Sequence, residues 1–314
     1  MEMFRVLEPG PFTTIQDLGR YGFQHLGIPV SGALDRFSCR VANLLVDNAE
    51  NAAVLEMTFL GPKLEALSES IVAVTGAEMK LYVNGAAQAL WEAFPVKAGD
   101  RIALKAATKG VRAYLAFAGG VLVPEVMGSR STCIGGKFGG MKGRPIAAGD
   151  ILEGRPTPSS PLTIRLPDEF RPRFSSEIAL RDVPGPQDDY FDQGPELFFS
   201  SPFTITPQAD RMGYRLAGPI IALKPGAPTS IISEPHVPGA VQVPADGRPI
   251  IVLVEQTVGG YAKIGTVISS DLDSVAQARP GDRVRFSPVD VAEAHRCYRS
   301  YQQVLNRVRS ILKR

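Results

Sequence analysis

Met79-Lys80-Leu81-Tyr82-Val83-Asn84-Gly85 reads as a short strand running into a tight turn. Asn-Gly favours the positive φ values of a two-residue hairpin, so a second strand should return beside the first. The same grammar extends outward. Ile71-Val72-Ala73-Val74 is a short apolar run upstream, and Arg112-Ala113-Tyr114-Leu115-Ala116-Phe117 stops at Gly119-Gly120 downstream. Leu162–Leu166, Phe203–Thr206, Ile250–Val254 and Arg283–Phe286 look alike in the second half. Short strands broken by Gly and Pro favour a β-barrel or sandwich over an alternating β/α fold.

A Gly-Asp pair precedes a short apolar stretch three times, at Gly99-Asp100, Gly149-Asp150 and Gly281-Asp282. Physically this is one turn entering one strand. Its recurrence near the ends of both halves points to two related barrels. Three prolines and two serines in Gly154–Pro161 cannot continue a ladder, which makes this stretch the linker candidate. The expected domains are 1–156 and 157–314.

Two helices are expected. Leu34, Phe37, Val41, Leu44 and Leu45 share a face, with Ser31 as cap, in a helix that plugs or flanks the first barrel. At the C-terminus, Ser287 caps, Pro288 takes the first helical position and Asp290 lies in the first turn. Val291, Ala294, Tyr298, Tyr301, Leu305, Val308 and Leu312 then step by three and four. Such a stripe packs on its own barrel or docks a partner.

The chain has 314 residues, 44% hydrophobic and 21% charged, which suits a globular protein of two domains. A net charge of +2 gives no electrostatic case for nucleic-acid binding. No apolar run is long enough to span a membrane and no signal region opens the chain, so a cytoplasmic location is expected. Cys39, Cys133 and Cys297 are read as reduced and buried. His25, His236 and His295 share no ligand spacing, so no metal site is expected, and each histidine alone reads as structural, with His25 the one to test.

Two blocks carry polar and aromatic side chains at glycine- and proline-rich turns. The first runs from Thr13 to Gly32; the second begins at Pro184-Gly185-Pro186-Gln187-Asp188-Asp189 and resumes from Ala209 to Pro219. Loops on a rigid scaffold are where sites usually sit. Asp17, His25, Asp188 and Asp210 are candidates for acid–base or metal–nucleotide work, and Arg20, Arg130 and Arg211 for balancing charge on oxygens. Arg211, in a turn between Asp210 and Gly213, is expected to aim at a ligand. Gln16 and Gln187 supply paired donors and acceptors. Ser129-Arg130-Ser131-Thr132 leads into a Gly/Lys/Arg-rich segment ending at Arg144, the chemistry of an anion-binding loop. Glu234, Gln242, Gln256, Thr257, Gly259, Gly260 and Tyr261 cluster at the end of the most apolar strand, where they would orient a ligand with an amide or ureido group. The two blocks are expected to converge on one cleft bordered by the 256–261 segment.

The ordered runs TTIQDLGRYGFQHLGIPVSGALD, LEMTFLGPKL, AVTGA, RAYLAFAGG, VMGSRST, GPQDDYF, ADRMGYRLAGP, SEPHVPGAVQVPADGRPI and QTVGGYAKIGTVISSDL resemble the biotin-dependent carboxyltransferase-like family. That family includes the C subunit of bacterial 5-oxoprolinase, allophanate hydrolase subunit 2 proteins and the antagonist of the KipI kinase inhibitor. The resemblance implies a mainly β fold, two tandem cyclophilin-like β-barrel domains with a few helices including a C-terminal one. It further implies a subunit of an ATP-dependent 5-oxoprolinase, inactive alone. Such a protein opens a lactam together with A-type and B-type partner subunits, the latter allophanate hydrolase subunit 1-like. ATP with Mg is then expected in the complex. The alternatives are a urea carboxylase-like carboxyltransferase using biotin on a urea-like substrate, and a non-catalytic module that binds a kinase inhibitor. Glu255 departs from the family's usual lead-in to Gln-Thr or Pro-Thr, so no role is carried to it.

Overall fold

The computed structural model describes residues 1–156 and 164–313. The linker candidate Gly154–Pro161 and the Leu162–Leu166 strand therefore lie partly outside the described residues. Two compact units emerge. The first comprises Met1–Tyr21, Ser31–Phe174 and Val304–Arg314; the second comprises Gly22–Val30 and Ser175–Gln303.

The first unit is a nine-stranded sheet bent into a half-barrel. Its spine is two long strands, Ser70–Val83 and Arg101–Phe117, paired antiparallel. Ile71–Val74 and Met79–Val83 are thus one strand and not two: Gly76, at φ 88, bends the ladder while keeping it continuous. A side chain at Gly76 would meet the carbonyl oxygen of Arg112 on the facing strand. The Asn84-Gly85 hairpin forms as expected, both residues at positive φ, with Val83 facing Ala86. Phe4, Leu55, Met57, Val72, Val74, Leu115 and Phe117 fill the core, and the Phe4 and Phe117 rings lie 5.0 Å apart.

The first helix, Arg36–Leu45, packs on both long strands. Its cap is Asp35, whose side chain accepts from the Ser38 amide at 2.8 Å, and not Ser31. Ser31 sits at φ 54 ahead of the helix, outside capping range. Asp35 is itself placed by its amide, which donates to the Tyr114 hydroxyl, and that hydroxyl donates to Glu56.

The second unit is a closed seven-stranded barrel. Its order is Glu177–Pro184, Ala262–Val267, Ala240–Val243, Ile250–Val252, Gly213–Ala217, Pro202–Ala209 and Arg283–Pro288, the last closing in parallel on the first. Phe198, Phe203 and Phe286 plug one end, with Phe198 stacked on Phe286 at 4.3 Å. The C-terminal helix spans Val291–Leu312. Ser287 and Pro288 finish a strand, so the helix is capped by Asp290, which accepts from the Glu293 amide at 2.6 Å. Only the distal part of the expected apolar stripe, Leu305, Val308 and Leu312, is buried; Val291 and Tyr298 are exposed.

All three Gly-Asp turns have one construction. Each glycine has positive φ (91, 88 and 95), and each aspartate accepts from the amide three residues back: Asp100 from Lys97, Asp150 from Ala147 and Asp282 from Arg279. Each delivers the chain into a strand. Cys39 and Cys133 are buried as expected, whereas Cys297 on the last helix is only half-buried. No helix among the described residues is long and apolar enough to cross a membrane.

Candidate functional site

In the first unit the expected site residues form a knot. The Asp17 carboxylate accepts from the Gly19 amide, the Ser129 and Ser131 hydroxyls and the Arg130 amide, at 2.5–2.8 Å. Gln16 donates to Thr14 and the Thr132 carbonyl and accepts from the Gly32 amide. Arg20 is fully buried, donates to the carbonyls of Val126 and Ser131, and lies over the Phe138 ring at 4.7 Å. The glycines at 139 and 140 admit close contact with the backbone of Ser131 and the side chain of Thr132. In the segment expected to bind anions, Gly139, Gly140 and Gly143 are buried, while Gly135, Gly136, Lys137 and Lys142 are exposed and Arg130 pairs with Glu125 at 3.3 Å.

The second unit gathers a different set. His25 is exposed on a short turn, Gln24–Leu26, whose Gln24 donates to the His236 carbonyl at 3.0 Å. Asp188 begins another short turn. Asp210 closes the hairpin between two barrel strands by accepting from the amides of Met212 and Gly213. The Arg211 side chain is 6% exposed and pairs with Glu255, Nη2 to Oε1 at 3.0 Å.

Around this hairpin lies a cleft of about 210 Å³ lined by Gln208, Asp210, Met212, Gly213, Arg215, Gln242, Ile250, Val252 and Gln256. Its apolar floor comes from the strand Ile250–Val252 and its rim from amides and one ion pair, Arg215–Asp246 at 2.9 Å. Behind Gln242 stands a polar row. Lys263, the register partner of Gln242, pairs with Glu234; Gln187 accepts from the Lys263 amide and donates to Glu234. The Lys263 contact holds the Glu234 carboxyl below its usual range. Thr257 accepts from the His236 amide, Gly260 from Ile231, and Gln256 donates to the Val258 carbonyl; Tyr261 is exposed.

Three buried side chains stand out here: His236, which the sequence offers as structural on its own and as a member of the Glu234–Gln242 cluster, and Asp182 and Lys263, which were not read from the sequence. His236 is 1% exposed, and its ring is in side-chain hydrogen-bond contact with Gln242. Burial, and behind it the Lys263 ammonium, lowers its pKa. Asp182 is inside the barrel; burial pushes its carboxyl up to about 8, its Oδ1 accepts from Thr266, and its Oδ2 has no partner. Gly265 makes room for it, since a Cβ there would collide with Oδ1. Lys263 is the third. The available signals were an aspartate in step with Leu180 on the inward face of a strand, and a lysine among small and apolar residues.

The family described as "Carboxyltransferase domain, subdomain A and B" matches residues 26–288. The C subunit of 5-oxoprolinase from Escherichia coli is 36% identical over 309 residues, covering 96% of both chains. Its counterpart from Haemophilus influenzae is 33% identical over 99% of both. The structure of the K. lactis urea amidolyase superposes with a TM-score of 0.90 at 31% identity, covering 98% of this chain and 20% of that one. Sequence and fold agree along nearly the whole length, and the chain belongs to the carboxyltransferase domain family, subdomain A and B.

Proposed function

We propose that this chain is the C subunit of an ATP-dependent 5-oxoprolinase, opening 5-oxoproline to glutamate together with A-type and B-type partner subunits. The observation that carries this reading is end-to-end agreement: the two 5-oxoprolinase relatives match over 96–99% of both partners. The urea amidolyase match covers a fifth of a much longer chain.

The second-unit cleft supplies this chain's share of the work. Gln208, Gln242 and Gln256 offer amide donors and acceptors over an apolar floor, which suits a small planar N–C=O group. The cleft does not fit a triphosphate. The one arginine among its lining residues is already held by Asp246, and none of those residues belongs to a glycine-rich loop opening a helix. Phosphoryl transfer is therefore assigned to the partners, and the chain alone is inactive. A biotin-dependent carboxyltransferase acting on urea is the second reading, favoured by the TM-score of 0.90 to the urea amidolyase.

Reconstitution with the A-type and B-type partners tests the choice. ATP hydrolysis that depends on 5-oxoproline and on all three chains is expected. Turnover by this chain alone, or carboxylation of urea with carboxybiotin but no lactam opening, overturns the reading.

A further inference from the structure

The cleft is built on the outer face of the barrel, and its residues stand in register. In the strand Gly213–Ala217, Tyr214 and Leu216 are buried inside the barrel, so Gly213 and Arg215 face outward, where they line the cleft. Arg215 is the register partner of Ile250, and Ile250 that of Gln242. The arginine and the glutamine therefore flank one apolar residue. A side chain at Gly213 would meet the Ile251 carbonyl and the Ile250 side chain, so the glycine keeps the space beside Arg215 open.

Arg215 is the one cation among the lining residues, and its donors are only partly used. Nη1 donates to Asp246 at 2.9 Å, and Asp246 in turn accepts from the Arg248 amide. Nε and Nη2, which together form a bidentate edge, bond to no described residue. The Arg215 and Asp246 side chains are 30% and 49% exposed, and an ion pair in that setting contributes little to stability. What it does is fix the plane of the guanidinium while one edge stays open. That edge serves one carboxylate and falls far short of a triphosphate. Other polar atoms of the cleft are open too. Gln208 spends no side-chain bond on the described residues, and Gln256 uses Nε2 on the Val258 carbonyl and keeps Oε1. Asp210 uses Oδ1 for the Met212 and Gly213 amides.

We propose that Arg215 determines which N–C=O compound the cleft accepts: one that also carries a carboxylate, held on the Nε/Nη2 edge, with its amide toward Gln208 and Gln256. The inference rests on the functional reading above and deepens it. 5-Oxoproline carries both groups on one small ring, whereas urea has the amide unit and no charge. Gln256 Oε1 accepts from the ring N–H, and Gln208 Nε2 donates to the ring carbonyl. With the Asp210 carboxylate on the same cleft, an acid is accepted only where the guanidinium neutralises it. Arg215 is thus a specificity-determining residue.

The test compares 5-oxoproline with 2-pyrrolidinone, the same lactam without the carboxylate. Equilibrium binding is measured on the full chain and on the reconstituted complex, and KM and kcat on the complex. Wild type is expected to prefer 5-oxoproline by about tenfold or more. Arg215→Gln is expected to erase that preference and raise the KM for 5-oxoproline about tenfold or more, with 2-pyrrolidinone bound as before. Arg215→Lys keeps the charge without the fork and should restore part of the preference. Asp246→Asn keeps the guanidinium and should keep the preference, which covers the case that Arg215→Gln fails to fold; a preference lost in Asp246→Asn overturns the assignment. Turnover of 5-oxoproline with KM and preference unmoved in a folded Arg215→Gln complex overturns the assignment and leaves the functional reading intact. An Arg215-dependent preference without lactam turnover keeps the assignment and overturns that reading. Binding of neither lactam, by chain or complex, overturns both.

Discussion

Asp17 and His236 are about equally hidden from solvent, yet they are hidden in opposite ways. Asp17, in the first unit, satisfies four donors at once and ties two stretches of chain together. His236, in the second, has a single side-chain hydrogen-bond contact from its ring, to Gln242, with the Lys263 ammonium nearby. Both belong to runs rich in Gly, Pro and polar residues. The difference teaches that a polar group can be buried by a full set of bonds, which makes it architecture, or by packing around one contact, which makes it sensitive to what surrounds it.

Four experiments press on that contrast. Asp17→Ala strands two hydroxyls and two amides in the first unit, and a loss of about 4 kcal/mol is expected in urea unfolding. A variant that keeps wild-type stability but loses activity in the complex would break the comparison, since it would make Asp17 chemical. Arg211→Ala leaves Glu255 buried without its cation, for which about 3 kcal/mol is expected. A double-mutant cycle with Glu255→Ala should recover part of that cost. Strong loss of activity with no loss of stability would return Arg211 to the ligand role that the sequence implied.

Asp182 gives the third, through pH. Its folded-state pKa is raised to about 8 from 3.8, so the folded protein holds a proton that the unfolded chain releases. Stability from this group is therefore present below about pH 4 and lost as pH rises toward about 8. Asp182→Asn removes the titration and should gain on wild type by about 4 kcal/mol between pH 5 and pH 8. Hydrogen exchange in the strand Ala262–Val267 localises the effect to the barrel, and a constant gap across that range would contradict it. The smallest effects belong to Asp282→Ala, about 0.5–1 kcal/mol for the turn bond, and to Asp100→Ala and Asp150→Ala, about 1–2 kcal/mol because Asn84 and Arg144 also lose a partner. Losses of this size in both units would confirm that the device is shared and carries no chemistry.

Much of the fold was legible because its signals are local. Asn84-Gly85 and the Gly-Asp turns specify positive φ and a side-chain bond within three residues, which needs no tertiary context. The helix starts were misplaced because Ser31 and Ser287 are good caps in isolation, while Asp35 and Asp290 win on position. The length of Ser70–Val83 was hidden at Gly76, which reads as a break and acts as a bend. The cleft was half legible: Gln242 and Gln256 follow from the polar end of an apolar strand. Arg211 was not, since nothing near it in sequence announces Glu255, forty-four positions away. His236 was legible only as a member of the Glu234–Gln242 cluster, because a lone histidine looks structural.

The composition of the two units has a consequence for how the protein is made. Residues 304–314 belong to the first unit, where Arg309 bonds Glu50 at 2.5 Å and Leu305, Val308 and Leu312 are buried. They are translated after the whole second unit. A ribosome that has finished the first sheet must still thread out the entire barrel before the last helix can close the first core. Residues 22–30 make the reverse loan: translated early, they belong to a barrel whose strands follow much later. Each unit uses a stretch of chain made at a distance from the rest of it, so fragments cut between residues 174 and 175 will each lack a piece.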